Sequence, residues 1–337
     1  MTDSGYSLTP DAALETHTTL RVPAKAAWLA GLTDGAALPV LLSRPELRGL
    51  PLLVLGEGSN VLFTRDFEGL VVCMANRGVR NEGGLLQVAA GEDWDQFVRS
   101  SLARGYCGLE NLIFIPGTVG AAPIQNIGAY GAEVSEFIAT VYAWDRHVGR
   151  ETMLDNAACR FGYRDSLFKQ SPQRYVITAV DFRLPREHPL KLVYSGVREE
   201  LAALGVTAPR TVDVARAVEN LRRRKLPDPK LLGNAGSFFK NPVLPAARAD
   251  DLKRAYPQLP LYPGTAGLTK VSAAWLIETC GFKGVRDGDA GVSDKHSLVL
   301  VNYGSASGAQ IWALAQRIRD TVASRFGITL EPEPLVI

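Results

Sequence analysis

Two glycine-bearing segments in the first half of the chain constrain the fold more than any other feature of the sequence. The first, LVLGEGSNVLF, places Gly56 and Gly58 directly after an apolar run typical of a strand. Main-chain amides at such a turn can approach a pyrophosphate, although on spacing alone a simple tight turn is favoured. Val61 stands where a dinucleotide-binding fingerprint needs its third glycine, and no βαβ unit with the expected acidic residue is evident. A Rossmann domain is therefore disfavoured.

The second segment, IPGTVGAAPIQNIGAYGAE, runs from Ile115 to Glu133 and is rich in glycine and other small residues. Two such loops in one domain could wrap an extended diphosphate through main-chain donors. From the residues alone, two unrelated loops are an equal alternative.

Composition is that of an ordinary globular protein. Of the 337 residues, 46% are apolar and 21% are charged, and this length suits two or three domains. A net charge of +2 gives no general attraction to nucleic acid or to an anionic membrane, so an anionic ligand must meet a few placed cations. The first residues are unlike a signal peptide and no run approaches the length of a membrane span, which predicts a cytoplasmic protein.

The cysteines give no sign of a metal or disulfide framework. Cys73, Cys107, Cys159 and Cys280 lie far apart and form no CxxC pair. A small buried side chain is the expected role of each, and no metal site is predicted.

Short apolar runs alternate with helix-like patterns along the chain. Strands are predicted at LPLLVLG, GLVVC, LLQVAAGE, FIATVYAW and RYVITAVDFRL. Helices are predicted near Trp28, over 94–103, from about 211, over 270–280 and over 307–326. Ser307 and Gln310 have capping-box spacing, and Gly327 ends the last helix. This mixture indicates an α+β or α/β class, with domain boundaries near 75 and 226.

Several polar residues could have either a functional or a purely structural role. Arg164 in FGYRDSLFK would usually be a solvated or ion-paired surface group. The run RRRK that ends at Lys225 would usually be a solvated helix end, yet the rigid KLPDP turn could aim Lys225 inward. Ser237 in GNAGSFFKNP is by itself more typical of a turn hydroxyl, and Glu331 and Glu333 in LEPEPLVI are typical of solvent-facing carboxylates.

Six segments of the chain together indicate a protein family far more specifically than any one of them does alone. Their order and spacing resemble those of the UDP-N-acetylenolpyruvylglucosamine reductases, the MurB family, in its type I form. The resemblance covers the chain from about Thr16 to Ile337. It is carried by LGEGSNVL, IPGTVGAAPIQNIGAYGAE, CRFGYRDSLFK, KLPDPK, GNAGSFFKNP and LEPE.

The resemblance implies an α+β, FAD-binding fold of the p-cresol methylhydroxylase type, built from two subdomains, with a C-terminal α+β substrate-binding domain. Residues 1–75, joined by 328–337, would form the first subdomain, 76–225 the second, and 226–327 the substrate-binding domain. The implied reaction is NADPH-dependent reduction of UDP-N-acetylglucosamine enolpyruvate to UDP-N-acetylmuramate through bound FAD, in peptidoglycan precursor synthesis. Small molecules would be its partners, without nucleic acid or membrane, and the protein would be a monomer.

The resemblance also assigns residues to roles by position in the matched segments. Arg164, Ser237 and Glu333 would be catalytic. Substrate contacts would come from Tyr194, Lys225, Asn241, Lys283 and His296. FAD would be bound by two groups, Gly56, Glu57, Gly58, Ser59 and Asn60 in the first loop and Pro116, Gly117, Thr118, Gly120, Asn126, Gly128 and Tyr130 in the second.

Three positions depart from the family pattern, and two rival functions remain open for the same chain. Thr18-Thr19 replaces the usual Asn-Thr, His296 replaces the substrate-binding glutamine of some relatives, and Pro334 replaces a common valine. A flavin oxidase or hydroxyacid dehydrogenase of the same fold would leave GSFFKNP and YRDS unexplained. A nucleotide-sugar-binding protein without catalysis is disfavoured by the joint presence of the three catalytic residue types.

Overall fold

The computed structural model describes residues 5–194 and 196–337, in which short strands and helices follow one another. The first strands are β1 (Tyr6–Ala13), β2 (Lys25–Leu32), β3 (Leu52–Leu55), β4 (Val61–Leu62), β5 (Phe67–Met74), β6 (Val79–Glu82), β7 (Leu85–Ala89), β8 (Gly128–Ala129), β9 (Ala132–Glu133), β10 (Ile138–Asp145) and β11 (Arg150–Asp155). The later strands are β12 (Tyr175–Phe182), β13 (Gly233–Ser237), β14 (Val243–Pro245), β15 (Leu261–Pro263), β16 (Leu268–Val271), β17 (Arg286–Asp287), β18 (Ala290–Val292), β19 (Val299–Asn302) and β20 (Leu335–Val336). The helices are α1 (Leu38–Leu42), α2 (Trp94–Ala103), α3 (Leu167–Gln170), α4 (Val197–Ala203), α5 (Thr211–Lys225), α6 (Ala246–Ala255), α7 (Ala273–Thr279) and α8 (Gly308–Phe326). The predicted α+β class is confirmed.

The chain forms two compact units, each built from separate stretches of sequence. Unit 1 contains the described residues within 1–12, 26–58 and 67–223. Unit 2 contains residues 13–25, 59–66 and 224–337. The three-domain division at 75 and 225 stays a prediction.

Unit 1 contains a mainly parallel sheet and an antiparallel sheet. The first has the strand order β1-β2-β5-β3, in which β5 pairs in parallel with both β2 and β3. The helix predicted near Trp28 was wrong, because Lys25–Leu32 is strand β2 and Trp28 pairs with Leu70. Its apolar residues fit a helical and a strand period equally well, and the pairing with β5 selects the strand.

The antiparallel sheet has the order β11-β10-β12-β7-β6 and packs against helix α2. Phe97 lies 4.9 Å and Trp94 6.1 Å from Phe182 of β12, measured between ring centres. The indole Nε1 of Trp94 also donates to the carbonyl of Leu112 at 2.9 Å. Helix α2, predicted over the same residues, thereby anchors the chain that leads into the second glycine loop.

Unit 2 is built on the sheets β13-β19-β18-β17, β14-β16-β15 and β20-β4. Helix α8 is confirmed as predicted: Ser307 and Gln310 form its capping box, and Gly327 ends it at φ 65°. The helix predicted over 270–280 begins later, because Leu268–Val271 forms strand β16 between β14 and β15. The hydroxyl of Ser272 then caps α7 by accepting from Trp275 N.

The cysteines and the lengths of the helices also bear on the sequence predictions. The four cysteines are free thiols, and burial raises the pKa of Cys73 to about 11 and that of Cys159 to about 12. Among the described residues, no helix combines the length and apolar character that crossing a membrane requires.

Candidate active site

The first glycine loop follows strand β3 and packs directly on the second loop. A Cβ atom at Gly56 would lie only 2.4 Å from Oγ1 of Thr118, so that position accepts no side chain. Gly58 has φ 60°, a conformation that glycine adopts without strain. Glycine at position 56 is therefore required by the close approach of the Thr118 side chain, and glycine at position 58 suits the left-handed backbone conformation.

A hydrogen bond joins the two loops within unit 1. The amide of Gly117 donates to Oε2 of Glu57 at 2.9 Å, and its carbonyl accepts from Trp94 N at 3.0 Å. A Cβ atom at Gly120 would lie 2.5 Å from that of Ala90, so this turn also packs backbone against backbone. Two adjoining glycine turns of this kind suit the main-chain binding of a diphosphate, so the residues fit FAD.

Asn126 braces the second loop from inside. Its side chain is almost fully buried and donates to Oε2 of Glu133 at 2.9 Å and to the carbonyl of Gly162 at 3.0 Å. Its Oδ1 accepts from Ser135 N at 3.0 Å. These bonds explain why Asn126 keeps a left-handed φ of 45°. A direct contact of Asn126 with FAD stays a prediction.

Arg164 is fixed by the same loop. Its Nη2 donates to the carbonyl of Gly128 at 2.7 Å, and Lys169 Nζ donates to the carbonyl of Arg164 at 3.2 Å. Its φ of 55° is also left-handed. Strained backbone of this kind concentrates at functional sites, and a guanidinium held in this way can meet a carboxylate without reordering.

Tyr194 and Tyr130 form an edge-to-face pair whose ring centres are 5.0 Å apart. Tyr194 is 43% exposed, so its ring can cover a ligand while it contacts Tyr130. The next residue, Ser195, lies outside the described residues. The pair brings a predicted substrate contact and a predicted FAD contact together within unit 1.

Unit 2 places Ser237 beside the segment that carries Glu333. Phe239 forms an antiparallel bridge with Pro332, and Glu333 N donates to the carbonyl of Phe238 at 2.9 Å. Ser237 ends strand β13 after an irregularity in its pairing with β19. Two predicted catalytic residues, far apart in sequence, are therefore neighbours along paired backbones.

The two nearby glutamates have different surroundings. The Glu331 side chain is 69% exposed and forms an ion pair with Lys240. Glu333 is half-buried, and its carbonyl accepts from the side-chain amide of Asn60 at 3.2 Å. Glu331 therefore has a cationic partner, and the backbone of Glu333 is hydrogen-bonded to Phe238 and Asn60.

A cationic cluster of unit 2 contains three of the predicted substrate contacts. Burial lowers the pKa of His296 most, Lys225 and Lys283 lower it further, and Glu278 opposes them. Lys283 Nζ also pairs with Glu278 Oε1 at 3.1 Å, and His296 Nδ1 accepts from Leu298 N at 3.2 Å. Such a group of cations around a neutral imidazole suits an anionic ligand.

Asn241, the remaining predicted substrate contact, lies at the start of helix α7. Its Oδ1 accepts from Ala273 N at 3.0 Å, which satisfies a main-chain donor at the helix end. This bond fixes the orientation of the side-chain amide. A substrate contact of Asn241 stays a prediction.

Arg222, in unit 1, opens the RRRK run for which the sequence favours a solvated helix end, and the sequence patterns give it no functional role of its own. Its Nε donates to the carbonyl of Phe114 at 2.9 Å. Burial lowers the pKa of Arg222 most, Tyr130 and Asp95 raise it, and Arg164 lowers it. The sequence does contain a signal that Arg222 faces the protein interior. Arg222 lies four residues after the buried Val218 and so falls on the apolar face of α5.

Comparison with known proteins gives the same family for the whole chain. The profile described as "FAD binding domain" matches residues 38–149, and that described as "UDP-N-acetylenolpyruvoylglucosamine reductase, C-terminal domain" matches residues 228–337. A UDP-N-acetylenolpyruvoylglucosamine reductase of Xanthomonas axonopodis pv. citri is 53% identical over 99% of this chain and 97% of its own. The corresponding protein of Xylella fastidiosa strain M12 is 53% identical over 98% of this chain and 96% of its own.

A solved structure supports the fold. The crystal structure of UDP-N-acetylenolpyruvylglucosamine reductase (MurB) from Thermus caldophilus matches with a TM-score of 0.69 and 24% identity, over 98% of both chains. At that identity the likeness speaks for the fold, while the closer relatives speak for the family. The resemblance found in the sequence is confirmed, and the chain belongs to the UDP-N-acetylenolpyruvoylglucosamine reductase (MurB) family.

Proposed function

We propose that this protein is an FAD-dependent oxidoreductase that uses NADPH to reduce UDP-N-acetylglucosamine enolpyruvate to UDP-N-acetylmuramate. The reaction saturates a carbon–carbon double bond and yields a precursor of peptidoglycan. The observation that carries the proposal is the pairing of the Ser237 strand end with the Glu333 segment. It brings the backbone of a residue that carries a hydroxyl beside that of a residue that carries a carboxylate, and an enolpyruvyl reduction needs a proton donor and a group that organises the developing anion.

The first and second glycine loops would hold FAD, which when bound would supply to the substrate the hydride that it receives from NADPH. The hydride adds to the terminal vinyl carbon, and negative charge grows beside the substrate carboxylate. Arg164, fixed on Gly128, meets this charge with a planar guanidinium. Ser237 gives a proton to the carbon that bears the ether oxygen, and Glu333 organises the developing anion or the proton relay. The double bond thereby gains one hydride and one proton.

The diphosphate of the sugar nucleotide is bound by the cationic cluster. Lys225 and Lys283 both act on the pKa of His296 as positive charges, and Lys283 also pairs with Glu278. Asn241 and Tyr194 complete the substrate contacts in this proposal. The enzyme acts in the cytoplasm as a monomer, and its partners are small molecules.

The test is an anaerobic spectrum of the purified protein. A flavin absorbance that NADPH bleaches and that UDP-N-acetylglucosamine enolpyruvate restores is the expected result, and heat should release FAD rather than FMN. Oxygen consumption with a hydroxyacid would favour a flavin oxidase instead. A colourless protein that still binds the sugar nucleotide would favour a binding protein.

A further inference from the structure

Phe114, at the start of the second glycine loop, is engaged on three sides. Its amide donates to Asp95 Oδ1 at 2.6 Å, and its carbonyl accepts from Arg222 Nε at 2.9 Å. The guanidinium carbon of Arg223 lies 4.2 Å from the centre of its ring. Both main-chain polar groups and the side chain of this one residue are therefore held.

Ion pairs connect the groups that hold Phe114. Arg99 pairs with Asp95 at 2.8 Å and with Glu219 at 3.0 Å. Glu219 in turn pairs with Arg223 at 2.6 Å, which closes a ring through Phe114 and links α2 to α5. We name the surrounding residues the Phe114 clamp: Asp95, Arg99, Glu219, Arg222 and Arg223.

The clamp holds a backbone conformation that phenylalanine disfavours. Phe114 has φ 60°, in the left-handed region where a Cβ atom meets the following carbonyl. Such a conformation persists only where its surroundings over-determine it. Tyr130 and Arg164, with φ 48° and 55°, share this property at or beside the same loop. The clamp therefore controls the first of several strained positions.

The start of helix α2 binds the chain on both sides of Phe114. Trp94 donates its indole N–H to the carbonyl of Leu112 at 2.9 Å and its main-chain N–H to the carbonyl of Gly117 at 3.0 Å. Gly117 also contacts Glu57 of the first loop. The direction in which the chain leaves Phe114 therefore decides whether these contacts can form together.

We propose that the Phe114 clamp positions the FAD-binding loop, with Asp95 and Arg222 fixing the direction of residues 115–118 toward the cofactor. The proposal rests on the FAD binding proposed above. Its members are positioning residues, because they act through Phe114. Partly exposed ion pairs such as Arg99–Asp95 and Arg223–Glu219 contribute little to stability. The ion pairs of the clamp are therefore expected to affect cofactor binding more than unfolding.

The experiment compares Arg222→Gln, Arg222→Lys and Arg216→Gln in the full chain. Arg216 is an exposed cation on the same helix and lies outside the clamp, which makes it the matched control. The dissociation constant of FAD is measured from flavin fluorescence, the flavin environment from visible circular dichroism, and stability from thermal unfolding of the flavin-free protein.

Arg222→Gln should weaken FAD binding by about tenfold, the factor that corresponds to about 1.4 kcal/mol, and should change the visible circular dichroism. Arg222→Lys should recover most of the affinity, since an ammonium group can donate to the Phe114 carbonyl. Arg216→Gln should match the parent. The proposal would be overturned if Arg222→Gln left both the FAD affinity and the visible circular dichroism unchanged. A parent protein that binds no FAD would overturn the proposed function itself.

A second comparison separates positioning from general destabilisation. Phe114→Gly removes the penalty of the left-handed conformation, because glycine adopts it freely. In that background Arg222→Gln should weaken FAD binding by a smaller factor than in the parent. Two results would contradict the positioning role. One is that Arg222→Gln weakens FAD binding as much in the Phe114→Gly background as in the parent. The other is that unfolding of the flavin-free protein fully explains the loss of affinity.

Discussion

The side-chain amide of Asn60 donates to the main-chain carbonyl of Glu333 at 3.2 Å, although 273 positions separate the two residues in sequence. Leu335 N returns a bond to the carbonyl of Asn60 at 3.0 Å, and strand β20 continues the pairing beside β4. A residue of the proposed pyrophosphate loop therefore fixes the backbone of the proposed catalytic glutamate.

Asn60→Ala should lower the free energy of unfolding by about 0.5–1.5 kcal/mol, the net value of one such hydrogen bond, and should slow oxidation of reduced flavin by the enolpyruvyl substrate. Chemical denaturation and stopped-flow absorbance measure the two effects. Asn81→Ala, which removes an exposed amide bonded to Tyr106, is the control and should leave the flavin rate unchanged. An unaltered flavin rate in Asn60→Ala would separate this bond from catalysis.

The two glutamates of the LEPE segment provide a matched pair. Glu333→Gln should slow single-turnover oxidation of reduced flavin by at least about a hundredfold, as when one partner of a developing anion is removed. Glu331→Gln should stay within severalfold of the parent, because Glu331 is exposed and pairs with Lys240. Reversed sensitivities would mean that Pro334 shifts the register of this segment relative to the family.

Ser237→Ala should separate the two half-reactions. Reduction of the flavin by NADPH should be nearly intact, whereas reduction of the enolpyruvyl sugar should slow by more than the roughly 10²–10⁴-fold typical of one general acid. Rapid mixing with each substrate in turn gives both rates. Equal slowing of the two would indicate a defect in folding or flavin seating.

Tyr194→Phe keeps the ring against Tyr130 and removes only the hydroxyl. Loss of one hydrogen bond to the sugar nucleotide should raise its KM by about two- to tenfold, with a smaller effect on flavin reduction. Tyr106→Phe, which alters a tyrosine stacked on Arg186, is the control. An unchanged KM would place the substrate cover elsewhere.

His296 should make stability depend on pH. Burial, Lys225 and Lys283 hold its pKa below the ordinary 6.5, so near and below that pH the unfolded chain binds more protons than the folded one. The free energy of unfolding should therefore fall as the pH drops from 6.5 toward the folded pKa, and His296→Gln should reduce that slope. Denaturation curves between about pH 5 and 7 measure this pH dependence of the free energy of unfolding. His147 is exposed, so His147→Gln is the control. A slope equal to the parent's in His296→Gln would contradict the assignment.

Sequence patterns predicted elements whose signals are local. Helix α8 could be placed to the residue because Ser307, Gln310 and Gly327 are adjacent in sequence to the helix that they cap. Strand β2 could not be predicted in this way, because the apolar residues around Trp28 fit both a helical and a strand period. Only the pairing with β5 decides for the strand.

In the candidate site, too, local patterns predict residue types but not which distant segments pair. Motifs supplied the residue types of Ser237 and Glu333, but their proximity depends on a bridge between Phe239 and Pro332. The link from Arg99 to Glu219 joins two helices that are distant in sequence, so no local spacing predicts it. Patterns thus indicate which residues matter, while pairing between distant segments decides which of them meet.

Unit 2 is assembled from stretches that a ribosome makes at very different times. Residues 13–25 and 59–66 emerge early, yet Leu20 accepts from the Asn302 side chain, and β4 pairs with β20. Contacts of such long sequence separation slow folding and leave early segments exposed. We expect nascent chains to hold residues 13–25 without these partners until Asn302 has been made, and strand β4 unpaired until synthesis reaches β20. A fragment that ends at residue 228 would lack the partners of both segments and would leave strand β4 without its partner strand.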